Sequence, residues 1–158
     1  MNDETVSFKS LIHEEFIHLD MHASNIDEVF DKFGEILQEK GYVCDTYQDE
    51  LKKREYQYPT GLQTKYGNVA IPHTDAKFVN KPYIAIIRLQ EPVLFKRMDD
   101  PSQTLNVKIV INLGFNKNES HMQFLQKIMQ ILNHKESAKI LYEASNPIDI
   151  CKILESNT

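Results

Sequence analysis

One histidine, at the end of a short apolar segment, is the residue of this chain best placed to do chemistry. His73 stands in the run Ile71-Pro72-His73-Thr74-Asp75. Proline fixes one backbone dihedral and biases the preceding residue towards an extended conformation, so the imidazole leaves the segment in a defined direction. Neutral imidazole is a nucleophile, which makes His73 a candidate carrier of a phosphoryl group. Taken alone, a Pro-His pair favours the simpler interpretation of a histidine satisfied at a strand-to-loop corner.

Arg54 is the second candidate site residue. A helix is predicted from Asp45 or Thr46 to about Gln57, and Arg54 lies on the stripe of this helix that should pack inward. That stripe comprises Tyr47, Leu51, Arg54 and Tyr58. An inward-facing arginine needs a partner or a ligand, and the guanidinium fork matches phosphate geometry. The Pro59-Thr60-Gly61 turn leads back towards His73, although a structural salt bridge with an acidic residue would also satisfy Arg54.

His121 is the third candidate. It follows Ser120, which is the predicted N-cap of a helix with Gln123 as its capping-box partner. The N-terminus of a helix disfavours protonation of a histidine there and attracts anions such as phosphate. The alternative is an exposed histidine in the first helical turn.

The remaining histidines and the two cysteines form no metal or redox pattern. His18 and His22 are four residues apart, but their segment has the alternation of a strand, so a metal site is not expected. Cys44 and Cys151 are far apart and have no metal or redox spacing. The chain also has no Walker loop and none of the GxGxxG, GxSxG or HExxH motifs.

Composition is that of an ordinary globular protein. The chain has 158 residues, with 41% hydrophobic residues and a formal net charge of -5, which favours one domain and argues against nucleic acid as the main partner. No apolar stretch reaches the roughly 18 residues of a membrane span. The acidic N-terminus lacks the apolar region of a signal peptide, so we expect a reduced, cytoplasmic setting.

Hydrophobic periodicity predicts helices before and after a set of short strands, which indicates a layered α/β domain with a mixed sheet. Strands are predicted at 16–21, 69–71, 83–89 and 105–113, with a short edge piece at 93–95 and turns at 60–62 and 65–68. Helices are predicted from Asn25 as N-cap to Gly41, from 45 or 46 to 57, from 120 to about 132, at 136–143, and at 147–155 after Asn146 as N-cap.

These residues resemble those of a known family. The run Arg54-Glu55-x-x-Tyr58-Pro59-Thr60-Gly61-Leu62, followed by Val69-Ala70-Ile71-Pro72-His73, is similar to the enzyme IIA domain of the bacterial sugar phosphotransferase system, fructose/mannitol type. The order of elements agrees over about residues 12–155 of a single domain spanning 1–158. The Tyr-Pro-Thr-Gly run and Thr74-Asp75-Ala76 look most like the galactitol-specific branch.

The resemblance implies a fold, a site and partners. The fold would be a mixed sheet with helices on both faces. His73 would accept a phosphoryl group from the phosphocarrier protein HPr and pass it to a cysteine of enzyme IIB, for sugar uptake through the membrane enzyme IIC. Arg54 would neutralise phosphate charge, and His121 would orient His73 or bind the phosphoryl oxygens. No metal or other cofactor is implied.

Because both partners would dock over His73, we expect the surface around His73, here called the rim, to be exposed and partly apolar. Its candidates are Phe78, Val79, Phe115 and Met122, each of which has ordinary core packing as the alternative. Two other functions stay open. One is a regulatory module that is phosphorylated on the same histidine and signals by binding a protein. The other is a binding domain in which the histidine is incidental.

Overall fold

Five strands form one mixed sheet in the computed structural model, which describes residues 7–117 and 121–156. The strands are β1 (Ile12–Met21), β2 (Gly61–Thr64), β3 (Gly67–Ala70), β4 (Tyr83–Lys96) and β5 (Thr104–Gly114). Their spatial order is β1-β4-β5-β3-β2. β1 runs parallel to β4 and β3 runs parallel to β5, whereas β4 with β5 and β2 with β3 are antiparallel. The predicted mixed sheet is therefore confirmed.

Five α-helices lie in the same described ranges. They are α1 (Ile26–Glu39), α2 (Tyr47–Gln57), α3 (His121–Leu132), α4 (Lys135–Glu143) and α5 (Pro147–Glu155). The predicted caps of α1 and α5 are confirmed, because the side chains of Asn25 and Asn146 accept hydrogen bonds from the backbone of Glu28 and Asp149. The predicted cap at Ser120 lies outside the described residues. No helix in the described part of the chain is both long and apolar enough to cross a membrane.

Helices cover both faces of the sheet, as the resemblance implied. Along β4, Ile84 and Ile86 pack into a core with α3, α4 and α5, whereas Ala85 and Ile87 pack into a second core with α1 and α2. The alternation follows from the two-residue period of a strand. Phe8 and Leu11, in a 3-10 helix before β1, are buried in the first core.

Several predicted boundaries were wrong. Residues 93–95 are no separate edge piece, because β4 continues past a register shift between Arg88 and Val93 and stays paired with β5. The predicted turn at 60–62 instead contains the start of β2, which forms a hairpin with β3 across a turn at Lys65 and Tyr66. On α3 the buried residues are Phe124, Ile128, Ile131 and Leu132.

The hairpin carries the segment that leads into His73. Gly61 lies against the end of β4, where an added Cβ would come within 2.6 Å of the Lys96 carbonyl oxygen. The Gly61 carbonyl accepts the backbone N–H of Met98 at 2.9 Å. Only a glycine allows this close approach without a shift of the backbone, so Gly61 fixes the hairpin to the sheet.

Candidate active site

His73 follows β3 and is half-buried at the edge of the sheet. Its Nδ1 lies 3.1 Å from the carbonyl oxygen of Ile71. Since a carbonyl oxygen can only accept, Nδ1 carries the hydrogen in this contact. The lone pair of the neutral ring is therefore on Nε2, which is the nitrogen set up for nucleophilic attack.

The surroundings of His73 favour its neutral form. Burial lowers the pKa of His73 to about 4, and the positive charge of Arg54 and the nearby His121 act in the same direction. The hydrogen bond to Ile71 and the negative charge of Asp75 oppose this shift. At neutral pH the ring is consequently uncharged and has its nucleophilic lone pair.

His121 lies directly beside His73, in a position consistent with the orienting role that the resemblance implied for it. The two rings meet edge to face, with centroids 4.7 Å apart, and Phe115 stacks on His121 at 4.7 Å. Nε2 of His121 is buried and has no hydrogen-bond partner among the described residues. Burial, followed by the positive charge of Arg54, lowers the pKa of His121. This ring therefore offers an unsatisfied polar atom next to His73.

Arg54 reaches the same site from the last turn of α2. Its Nη1 donates a hydrogen bond to Oδ1 of Asp75 at 2.9 Å, and its guanidinium lies 5.2 Å from the centre of the Tyr58 ring. Its Nε is buried without a partner among the described residues. Arg54 therefore forms the kind of salt bridge that the sequence left open, and its charge also acts on His73.

The predicted inward stripe of α2 was wrong at its C-terminal end. Tyr47 and Leu51 are fully buried, but Arg54 is only half-buried and Tyr58 is 62% exposed. The helix ends at Gln57, and Tyr58 has non-helical backbone angles, so the helical period does not extend to it. Tyr58 instead covers the guanidinium of Arg54 on the solvent side of the site.

Glu55 and Thr60 together support His73. The sequence had indicated no such role for either residue. The buried Glu55 carboxylate accepts the Thr60 backbone N–H at 2.8 Å and the Thr60 hydroxyl at 2.9 Å. The Thr60 carbonyl accepts the N–H of Ile71 at 3.3 Å, and Ile71 in turn holds the His73 ring. The only signal in the sequence was the short spacing of these residues in the Arg-Glu-x-x-Tyr-Pro-Thr-Gly run.

A cleft opens beside Arg54. It has a volume of about 560 Å³, and its lining includes Arg54, Tyr58, Thr74, Asp75 and Phe78. A groove of similar size, about 580 Å³, lies between α4 and α5 and is lined by none of the three candidate site residues. Of the three candidate site residues, only Arg54 lines the first cleft, and its positive charge acts on both His73 and His121.

The predicted rim is correct for only half of its members. Met122 is 64% exposed and Phe78 is half-buried, so both are available to a partner. Val79 and Phe115 are buried in the second and first cores, respectively, and so belong to the core. The alternative of core packing is wrong for Met122, because the buried face of α3 passes through Phe124 instead. Within the described residues no group of three or more His, Cys, Asp or Glu side chains is placed to hold a metal ion.

Comparison with known proteins finds a family model and related sequences that match most of this chain. Residues 10–157 match the family model described as "Phosphoenolpyruvate-dependent sugar phosphotransferase system, EIIA 2". A mannitol-specific phosphotransferase enzyme IIA component from Geobacillus stearothermophilus is 32% identical over 91% of this chain and 94% of its own length. A galactitol-specific EIIA component from Escherichia coli K12 is 28% identical over 72% of this chain and 75% of its own.

A solved structure shows the same fold. The complex of enzyme IIAMTL and phosphorylated enzyme IIBMTL from Escherichia coli contains a chain that superposes with a TM-score of 0.75. The match covers 92% of this chain and 97% of that chain, at 23% identity. At this level of identity the likeness supports the α/β architecture alone.

Proposed function

Because this chain belongs to the EIIA 2 family of the phosphoenolpyruvate-dependent sugar phosphotransferase system, we propose that it carries a phosphoryl group on Nε2 of His73. The phosphorus–nitrogen bond of phosphorylated HPr would break as a new bond forms to Nε2, and the HPr imidazole would leave with its electron pair. The observation that carries this proposal is the bond from Nδ1 of His73 to Ile71, which fixes the tautomer with a free Nε2 lone pair.

Two neighbours would stabilise the charge of the transferred group. Arg54 presents a guanidinium whose fork matches two phosphoryl oxygens, and its Nε is already buried without a protein partner among the described residues. His121, with its hydrogen on Nε2, would donate a hydrogen bond to a phosphoryl oxygen on His73. Donors that are fixed before the reaction act most strongly in such half-buried sites.

The phosphoryl group would then pass to a cysteine of an enzyme IIB, and from there to a sugar or polyol taken up through a membrane enzyme IIC. We place this chain on the cytoplasmic side of that pathway. The Thr74-Asp75-Ala76 run favours a galactitol-like polyol, and the mannitol-specific relative makes mannitol the second substrate to test. Tyr58, Phe78 and Met122 offer apolar surface near the site for docking of the two protein partners.

Phosphorylation with purified enzyme I, HPr and phosphoenolpyruvate tests this function. Intact mass should show one added phosphate that is lost in acid, and the His73→Ala variant should show none. His134→Ala is the matched control, because His134 caps α4 through Ser137 and has no contact with His73. A phosphate retained in the His73→Ala variant would contradict the assignment.

Onward transfer is measured separately, with galactitol-type and mannitol-type enzyme IIB as acceptors. Loss of the phosphate from this chain together with its appearance on an enzyme IIB cysteine supports the transport role. Acceptance from HPr without transfer to either enzyme IIB would favour the regulatory function instead.

A further inference from the structure

Asp75 occupies one of the hydrogen-bonding positions of the Arg54 guanidinium. Its Oδ1 accepts from Nη1 of Arg54 at 2.9 Å, and the two side chains are 61% and 34% exposed. Asp75 lies only two residues beyond His73, and its negative charge acts on the His73 ring. A carboxylate and a phosphoryl group are both anions that a guanidinium binds through the same N–H groups.

Asp75 stands at a position where an aspartate often caps a helix, but its carboxylate pairs with Arg54 instead. Asp75 is the N-cap residue of the 3-10 helix Ala76–Phe78, where an aspartate commonly accepts a backbone N–H. Within the described residues its side chain makes no such capping bond. Its carbonyl oxygen accepts the N–H of Phe78 at 3.2 Å, so the backbone is held while the carboxylate pairs with Arg54.

The following inference rests on the proposed phosphorylation of His73. We propose that Asp75 is the counter-ion of Arg54 in the unphosphorylated protein and competes with the phosphoryl group for binding to Arg54. When the group arrives on His73, Arg54 exchanges Asp75 for phosphoryl oxygens, and the Asp75 carboxylate is left near a second anion. The lost ion pair and the new repulsion both disfavour the phosphorylated state. Asp75 therefore weakens the hold on the phosphoryl group and favours its transfer onward.

The equilibrium between phosphorylated HPr and this chain tests the role of Asp75. The Asp75→Asn variant keeps the shape of the side chain and removes its charge. It should raise the ratio of phosphorylated to unphosphorylated chain about threefold to fivefold over wild type, a size typical of partly exposed ion pairs. The matched control is Asp99→Asn, because Asp99 pairs with Arg97 at 2.8 Å with similar exposure, in the segment between β4 and β5. That variant should leave the ratio unchanged.

A double-mutant cycle separates the counter-ion role from a general charge effect. In an Arg54→Gln background the increase caused by Asp75→Asn should shrink, because the competition for Arg54 no longer exists. An unchanged ratio in Asp75→Asn, or an undiminished increase in the Arg54→Gln background, would overturn the inference. Absence of phosphate on the wild-type chain would overturn the proposed function itself, so the two failures are distinguishable.

Discussion

The Glu55 carboxylate holds Thr60 by both its backbone N–H and its hydroxyl, at 2.8 Å and 2.9 Å, inside the protein. Through the Thr60 carbonyl and the Ile71 peptide, this pair is connected to the His73 ring by consecutive hydrogen bonds. The connection explains how a short hairpin at the edge of the sheet holds the His73 ring in one orientation. It also makes Glu55 a structural support of the candidate site that acts through Thr60 and Ile71.

Replacing Glu55 by alanine should destabilise the protein. The N–H and hydroxyl of the buried Thr60 would lose their acceptors, and each unsatisfied buried donor costs about 1–3 kcal/mol. We expect the free energy of unfolding in urea to fall by about 2 kcal/mol or more. Glu50→Ala, on the same helix, is the control, because Glu50 only forms a 3.6 Å pair with exposed Lys53 and should change stability by less than about 1 kcal/mol. Equal effects of the two substitutions would contradict the support role.

Glu55 and His73 should give opposite dependences of stability on pH. The pKa of His73 falls from 6.5 to about 4 on folding, so the folded state binds fewer protons and loses stability as pH falls from 6.5 to 4. Burial raises the pKa of Glu55 from 4.5 to about 7, so the folded state binds more protons and loses stability as pH rises from 4.5 to 7. Each contribution amounts to roughly 3 kcal/mol at its limit, and the two offset each other between about pH 4.5 and 6.5.

Single substitutions should expose each contribution. Relative to wild type, His73→Gln should gain stability as pH falls through this range, whereas Glu55→Gln should gain stability as pH rises, because glutamine imitates the neutral acid. Urea unfolding of the two variants and wild type from pH 4 to pH 8 measures both differences. The expectation fails if the two difference curves are flat or have the same sign of slope.

The chemistry of the site was predictable from the sequence to the extent that it depends on local order. Pro72 before His73 indicated a histidine held in a defined direction, and the position of His121 after Ser120 indicated a histidine at an anion-attracting helix N-terminus. The structure brings the two rings together. For Arg54 the sequence left a salt bridge with an acidic residue open, but it did not identify Asp75 as the partner, because two residues 21 positions apart meet only through packing of α2 against the loop after His73.

The errors in the fold prediction have similar physical causes. The helical period placed Tyr58 in the core, although the helix stops one residue earlier. On α3 the apolar stripe is wide enough for two possible inward faces, and contact of Phe124 with Phe8 and Phe115 selects the face that leaves Met122 in solvent. Periodicity therefore predicted the type of each element, whereas packing against the neighbouring elements decided which side of each helix was buried.

His121 should assist phosphoryl transfer without being the acceptor. In His121→Ala the hydrogen bond expected between its Nε2 and a phosphoryl oxygen is absent, and loss of one such bond to a charged group corresponds to about a tenfold to hundredfold slower transfer from HPr. The phosphate should still be found on His73, as shown by mapping the modified peptide at alkaline pH. His121→Gln, which keeps a donor near this position, should recover part of the rate.

The control is the exposed neighbour Met122, because Met122→Ala changes the surface of the same helix turn without altering the contact between the two histidine rings. An equal loss in His121→Ala and Met122→Ala would assign the effect to docking of HPr, and an unchanged rate in His121→Ala would leave the second histidine with only a packing role against Phe115.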